Sequence, residues 1–104
     1  MHTVHITSGL IDQVLHTLET KTPFRREWMY SELQDDSQTL FISIAIDQLS
    51  ATEPLSAFKG AGLLVEDLMP GRQDDYSWML AFTREGKVVE GYFGGNLSSP
   101  KSGL

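Results

Sequence analysis

The chain has 104 residues, a length typical of one domain, with 14 acidic and 8 basic side chains. It has no cysteine, which excludes disulfide bonds and cysteine-ligated metal sites. The net charge of −6 and the pI of about 4.8 disfavour binding to nucleic acid or anionic lipid and favour a basic protein partner. No apolar stretch is long enough to span a membrane and no secretory signal is visible, so we expect a cytoplasmic protein.

The N-terminal part predicts a short strand followed by an amphipathic helix. Apolar and polar residues alternate over 2–7, which is typical of a strand. Thr7 or Ser8 can cap a helix that extends to about Thr20, and Pro23 then ends it. Apolar side chains at spacings of three and four form one face of this helix: Leu10, Ile11, Val14, Leu15 and Leu18.

The next part predicts an antiparallel hairpin. Residues 27–33 and 39–48 both alternate, and the turn residues of 34–38 separate them. The second strand has the clearest alternation in the chain, with Phe41 and Ser43 on the face opposite its apolar residues. That apolar face carries Leu40, Ile42, Ile44 and Ile46.

The middle of the chain leaves two interpretations open. Pro54 near a start and Gly60 just past an end are typical of a short helix, and an irregular crossover is the alternative. Residues 63–69 are apolar apart from Glu66 and Asp67, and we interpret them as an edge-like strand.

The C-terminal part predicts two further strands. A turn over 70–75 precedes a strand over 76–82, and a tight hairpin at 84–87 leads to a return strand over 88–93. One face of the first of these strands carries Tyr76, Trp78, Leu80 and Phe82.

These elements predict an α+β fold in a single domain over residues 1–93, with a flexible polar C-terminal tail over 94–104. We expect a mostly antiparallel sheet of about five to six strands, with one amphipathic helix packed on one face and a second short helix as an alternative. The opposite face of the sheet would be partly wet or cupped, and would be available to a partner or ligand.

The chain lacks the motifs that carry common catalytic chemistry. It has no nucleophile elbow and no glycine-rich phosphate loop, so we expect no catalytic residue, no cofactor and no enzymatic activity. Asp12, His16 and Glu19 share one helix face and have the chemistry of metal ligands. That face lies opposite the apolar stripe and is solvated, so we predict no metal site.

Acidic doublets and aromatic residues suggest a protein-binding surface instead. If the doublets converge, they form a negative rim around aromatic anchors, which suits a basic protein partner. The alternative is that the acids occupy turns for backbone reasons and the aromatics fill the core. The candidate partner-binding residues are Asp35, Asp36, Glu66, Asp67, Asp74, Asp75, Trp28 and Tyr30.

No motif identifies a family, but in size, charge and order of elements the chain is similar to small acidic α+β inhibitors. That class includes immunity proteins of bacterial toxin–immunity pairs and phage proteins that block host defence. The resemblance implies a protein that binds a basic, toxin-like or nuclease-like partner and neutralises it by occlusion, with an immunity protein as the leading hypothesis. The alternatives are a phage-encoded inhibitor of a host defence complex, and a small-ligand-binding module or minor enzyme that uses the open sheet face.

Overall fold

The described part of the chain forms two helices and four strands. The computed structural model describes residues 6–34, 38–50, 55–69 and 76–95, without the side chains of 55–58. In chain order, the elements are α1 (Ser8–Lys21), a 3-10 turn (Arg26–Trp28), β1 (Met29–Gln34), β2 (Thr39–Ala45), α2 (Leu55–Leu68), β3 (Ser77–Arg84) and β4 (Lys87–Gly95). Neither helix in this part of the chain has the length and apolar character that a membrane span requires.

Helix α1 confirms the amphipathic helix predicted from the sequence. Its N-terminus is capped by Thr7, whose hydroxyl oxygen accepts a hydrogen bond from the backbone N–H of Leu10 at 3.1 Å. The predicted apolar face packs into the core, with Val14, Leu15 and Leu18 buried. The short strand predicted before it lies mostly outside the described residues, and Ile6 within its range is buried but not in a strand.

The predicted first hairpin is also confirmed. Strands β1 and β2 pair antiparallel from Met29 opposite Ile44 to Gln34 opposite Thr39. In β2 every second residue is fully buried, beginning at Leu40, because one face of the strand is turned toward the helices.

The strand predicted over 63–69 is wrong, because residues 63–68 belong to α2 and Met69 follows its end. The helix does not close at Gly60, as the short-helix interpretation required, but continues to Leu68. Ala61 and Val65 are fully buried, and Leu64 and Leu68 pack against the same core. Their spacings of three and four are helical, so the apolar residues from Ala61 to Leu68 form one stripe of a helix rather than one face of a strand.

In the described residues the sheet is mixed and has four strands, fewer than the five to six expected. Its order is β1-β2-β3-β4, and β2 and β3 run parallel, with Thr39 opposite Ser77. The expectation of a mostly antiparallel sheet fails at this one junction. A parallel neighbour needs a long crossover, and α2 supplies it between the two central strands.

The tight turn of the second predicted hairpin is confirmed. Glu85 and Gly86 have φ values of 55° and 77°, and two successive positive φ angles are characteristic of the tight turn that matches the twist of a hairpin. β3 and β4 then pair antiparallel, with one irregularity between Phe82 and Thr83. β4 extends to Gly95, two residues beyond the predicted return strand.

The molecule has two layers, as the predicted α+β class requires. Helix α2 lies on one side of the sheet, where Gly62 approaches Trp78 and Tyr92, and α1 packs beside α2. The core between the layers contains the apolar faces of both central strands, including Ile42, Leu80 and Phe82. The predicted turn over 70–75 and the part of the predicted tail after Gly95 lie outside the described residues.

Candidate functional site

The side of the sheet turned away from the helices carries the candidate site. We call it the open face, and it presents the odd-numbered residues of β2 and β3 together with the residues paired with them in β1 and β4. No helix in the described part of the chain covers it. Since each strand's side chains alternate between the two faces, these residues lie on the side away from the core. Those of β2 are partly exposed, whereas Ser77 and Ala81 of β3 are buried.

A ridge of large apolar side chains crosses the open face. Phe41 of β2 lies opposite Met79 of β3, and Met79 lies opposite Phe93 of β4. All three are partly exposed. Because they stand side by side on three neighbouring strands, they form one continuous apolar ridge rather than scattered surface residues.

A valley of small residues runs beside this ridge. Ser43, Ala81 and Gly91 are directly opposite one another on β2, β3 and β4, two residues along each strand from the ridge. Ala81 forms the floor of the valley and is only 4% exposed. On the far side, the next set of paired residues is Ala45, Thr83 and Val88. Val88 is 66% exposed, whereas Ala45 and Thr83 are small and partly buried, so this side is lower than the ridge.

Tyr30 closes the valley on β1, where it lies opposite Ser43. Its side chain is 59% exposed, and its hydroxyl donates a hydrogen bond to Glu32 Oε1 at 3.1 Å. This hydrogen bond and the charge of the Glu32 carboxylate raise the pKa of the Tyr30 hydroxyl above its usual value. Of the residues named from the sequence that the structure describes, Tyr30 is the one exposed on the open face.

Trp28, the other predicted anchor, lies at the beginning of β1 in the 3-10 turn. It is partly buried and packs against the core. Together with Pro23, Arg25, Glu27 and Gln48 it lines an open cleft of about 470 Å³ at the end of the sheet. Arg25 Nε lies 3.6 Å from Glu27 Oε1, so the charges that border this cleft pair with each other.

The predicted acidic residues do not all lie on one described surface. Glu66 and Asp67 are on α2, which covers the other side of the sheet from Tyr30. Asp35, Asp36, Asp74 and Asp75 lie outside the described residues. The described residues next to them in sequence lie at one end of the sheet, where the N–H of Ser77 donates to the carbonyl of Gln38 at 2.8 Å.

Asp12, His16 and Glu19, which have the chemistry of metal ligands, are exposed on α1, and the two acids pair with an arginine. Arg26 Nη2 lies 2.6 Å from Asp12 Oδ1, and Arg26 Nη1 lies 3.9 Å from Glu19 Oε1. The hydrogen bond from Arg26 and the charge of that guanidinium hold the pKa of the Asp12 carboxyl below its usual value. The described residues contain no group of three histidine or acidic side chains arranged to hold a metal ion.

The ridge residues are not among the site residues predicted from the sequence. The sequence nevertheless contains part of the information, because the alternation in β2 predicts that Phe41 and Ser43 lie on the face opposite the core. The partners of Phe41 on β3 and β4 could not be named, since that requires the parallel register of β2 and β3. Comparison with family models, with curated proteins and with solved structures finds no match to this chain.

Proposed function

We propose that this protein binds another protein on its open face and neutralises it by occlusion, as the immunity protein of a bacterial toxin–immunity pair does. One observation carries the proposal: an exposed tyrosine and a continuous apolar ridge occupy a sheet face that no described helix covers. Apolar patches of this kind on soluble proteins mark interaction sites, and tyrosine is favoured among residues that dominate binding energy.

Charge supports a basic partner. The chain has a net charge of −6, which attracts a basic protein and speeds its association. An inhibitor works by covering a functional surface, and neither a catalytic group nor a cofactor is needed for that. The proposal places the encounter in the cytoplasm, where a toxin that acts on the cell's own components has to be stopped.

The alternative of a small-ligand module is less well supported by the open face. The floor of its valley carries one hydroxyl, that of Ser43, and the hydroxyl of Tyr30 at the β1 end already donates to Glu32. Small-molecule sites are concave and combine apolar walls with several convergent polar groups. A phage-encoded inhibitor would use the same surface, and the identity of the partner separates it from an immunity protein.

The test combines capture with a measured loss of partner activity. The immobilised protein is exposed to a lysate of the cells that carry its gene, and the captured protein is identified by mass spectrometry. That partner is then produced alone, and its toxicity or enzymatic activity is measured with and without equimolar inhibitor. We expect the inhibitor to abolish the activity.

A pair of matched variants tests whether the partner binds on the open face. Tyr30→Ala should weaken binding by about 2 kcal/mol or more, which is about 30-fold in the dissociation constant. Leu63→Ala is the control, since Leu63 is equally exposed, at 62%, but lies on α2. A captured partner whose activity is unchanged by the protein, or equal effects of the two variants, would contradict the proposal.

A further inference from the structure

We infer that the segment of the partner that docks on the open face is a cationic amphipathic helix lying across the strands in the valley of Ser43, Ala81 and Gly91. This inference rests on the proposed protein-binding function and names the chemistry of the segment that the surface accepts. It follows from the dimensions of the valley and from the charges around it.

The width of the valley matches a helix. On β2 and β3, the ridge lies four residues along the strands from the lower set of Ala45, Thr83 and Val88, which is about 14 Å. An α-helix with its side chains is about 10–12 Å across. The small side chains of the floor let such a helix approach the sheet closely, while the ridge packs along one of its sides.

The length of the valley is also sufficient. Four strands at a spacing of about 4.8 Å separate β1 from β4 by about 14 Å, which corresponds to between two and three turns of helix. Tyr30 stands at the β1 end of the valley and Gly91 opens its β4 end. A helix of three to four turns therefore contacts all four strands.

The charges favour a cationic segment over a second copy of this chain. Among the described strand residues that alternate onto the open face, the charged one is Glu32, beside Phe41 on the ridge side. Glu32 already accepts hydrogen bonds from Tyr30 and Gln34, so its carboxylate is held in place on this surface. A lysine or arginine on the docked helix complements it, whereas a second copy would bring an identical carboxylate and a further net charge of −6.

A designed peptide tests this without knowledge of the partner. The probe is a helical peptide of about 16 residues with leucine on one face and lysine on the other, and its match is the same peptide with glutamate in place of lysine. Isothermal titration calorimetry at about 0.15 M salt measures both. We expect the leucine–lysine peptide to bind one-to-one and the leucine–glutamate peptide to bind at least tenfold more weakly.

One pair of variants locates the binding. Gly91→Leu fills the valley, and a Cβ at this position meets only the Leu80 carbonyl oxygen at 3.8 Å, so the fold accommodates it. Gly60→Leu is the matched control, because it is the same substitution on α2 and a Cβ there meets no atom within 4 Å. We expect at least a tenfold loss of affinity in Gly91→Leu and no change in Gly60→Leu, with circular dichroism checking that both variants fold.

Each other outcome overturns the inference. Equal binding of the peptide by both variants would indicate general charge attraction, and equal binding of both peptides would remove the role of charge. A dimer seen by light scattering and lost in Gly91→Leu would assign the valley to a second copy. If the leucine–lysine peptide does not bind, the inference is wrong, but the proposed function is still tested by the capture experiment. If a captured and neutralised partner binds the Gly91→Leu variant normally, the valley is not the docking site, and the proposed function is retained.

Discussion

Trp78 and Gly94 show how closely single residues are fitted in the core. The indole of Trp78 is 3% exposed, and its Nε1–H has no hydrogen-bond acceptor among the described residues. A Cβ added at Gly94 would lie 2.4 Å from two atoms of this ring, closer than any non-bonded contact allows. The glycine is therefore required by the tryptophan on the neighbouring strand, and not by its own backbone angles.

This fit predicts opposite results at two glycines of β4. Gly94→Ala should lower the free energy of unfolding by about 1–3 kcal/mol, because the added methyl overpacks the core against Trp78. A Cβ at Gly91 would make only an ordinary contact of 3.8 Å with the Leu80 carbonyl oxygen, so Gly91→Ala should change stability by less than about 1 kcal/mol. Urea unfolding of both variants measures the difference, and equal stabilities would show that Trp78 does not lie against Gly94.

Helix α2 is the element that the sequence describes least well. Its described part contains Gly60 and Gly62, which weaken a helix because glycine loses more backbone entropy than other residues when it is ordered. The helix nevertheless forms, since Ala61 and Val65 are fully buried against the sheet. Tertiary packing has overridden a poor local preference.

This account predicts that Gly60→Ala stabilises the protein. The new methyl meets no atom within 4 Å, so the gain of helix propensity, up to about 1 kcal/mol, should appear undiminished in the midpoint of thermal unfolding. Gly62→Ala should gain less, because its Cβ would lie 3.4 Å from the Cβ of Tyr92, which then has to move slightly. A lower midpoint for Gly60→Ala would show that α2 does not continue through this position.

At the scale of the whole molecule, the two-layer arrangement places the described acids of the predicted site away from Tyr30. Glu66 and Asp67 lie in the helical layer, on the opposite side of the sheet from Tyr30. Asp35 and Asp75 are each adjacent in sequence to a described residue at the same end of the sheet, Gln34 and Tyr76. The acids of the sequence prediction therefore divide into two groups that can be tested separately.

Two four-fold variants with equal net charge separate the effect of charge from that of position. Replacing Asp35, Asp36, Asp74 and Asp75 by Asn removes four negative charges, and so does replacing Asp12, Glu19, Glu66 and Asp67 by Asn or Gln.

We expect the first variant to associate more slowly with the captured partner and the second to change less, because charges near an interface steer encounter most strongly. The difference should shrink above about 0.15 M salt, where the Debye length is about 8 Å. Surface plasmon resonance at several salt concentrations measures the association rates. If both variants slow equally, net charge alone is responsible, and the acidic rim is not a feature of the interface.

The sequence by itself determined the elements whose signals are local. Helix α1 follows from its periodic apolar stripe and from the cap at Thr7, and the hairpin at Glu85 and Gly86 follows from turn chemistry. The buried face of β2 follows from alternation alone. In each case, the information that decides the structure lies within a few neighbouring residues.

Only the tertiary structure decided which strands are neighbours and what the open face contains. The parallel pairing of β2 and β3 depends on residues more than thirty positions apart, such as Phe41 and Met79, and no local pattern records it. Without that register the ridge and the valley cannot be assembled from single strands. Helix α2 likewise forms because the sheet buries its apolar stripe, and this long-range burial outweighs what its glycines locally prefer.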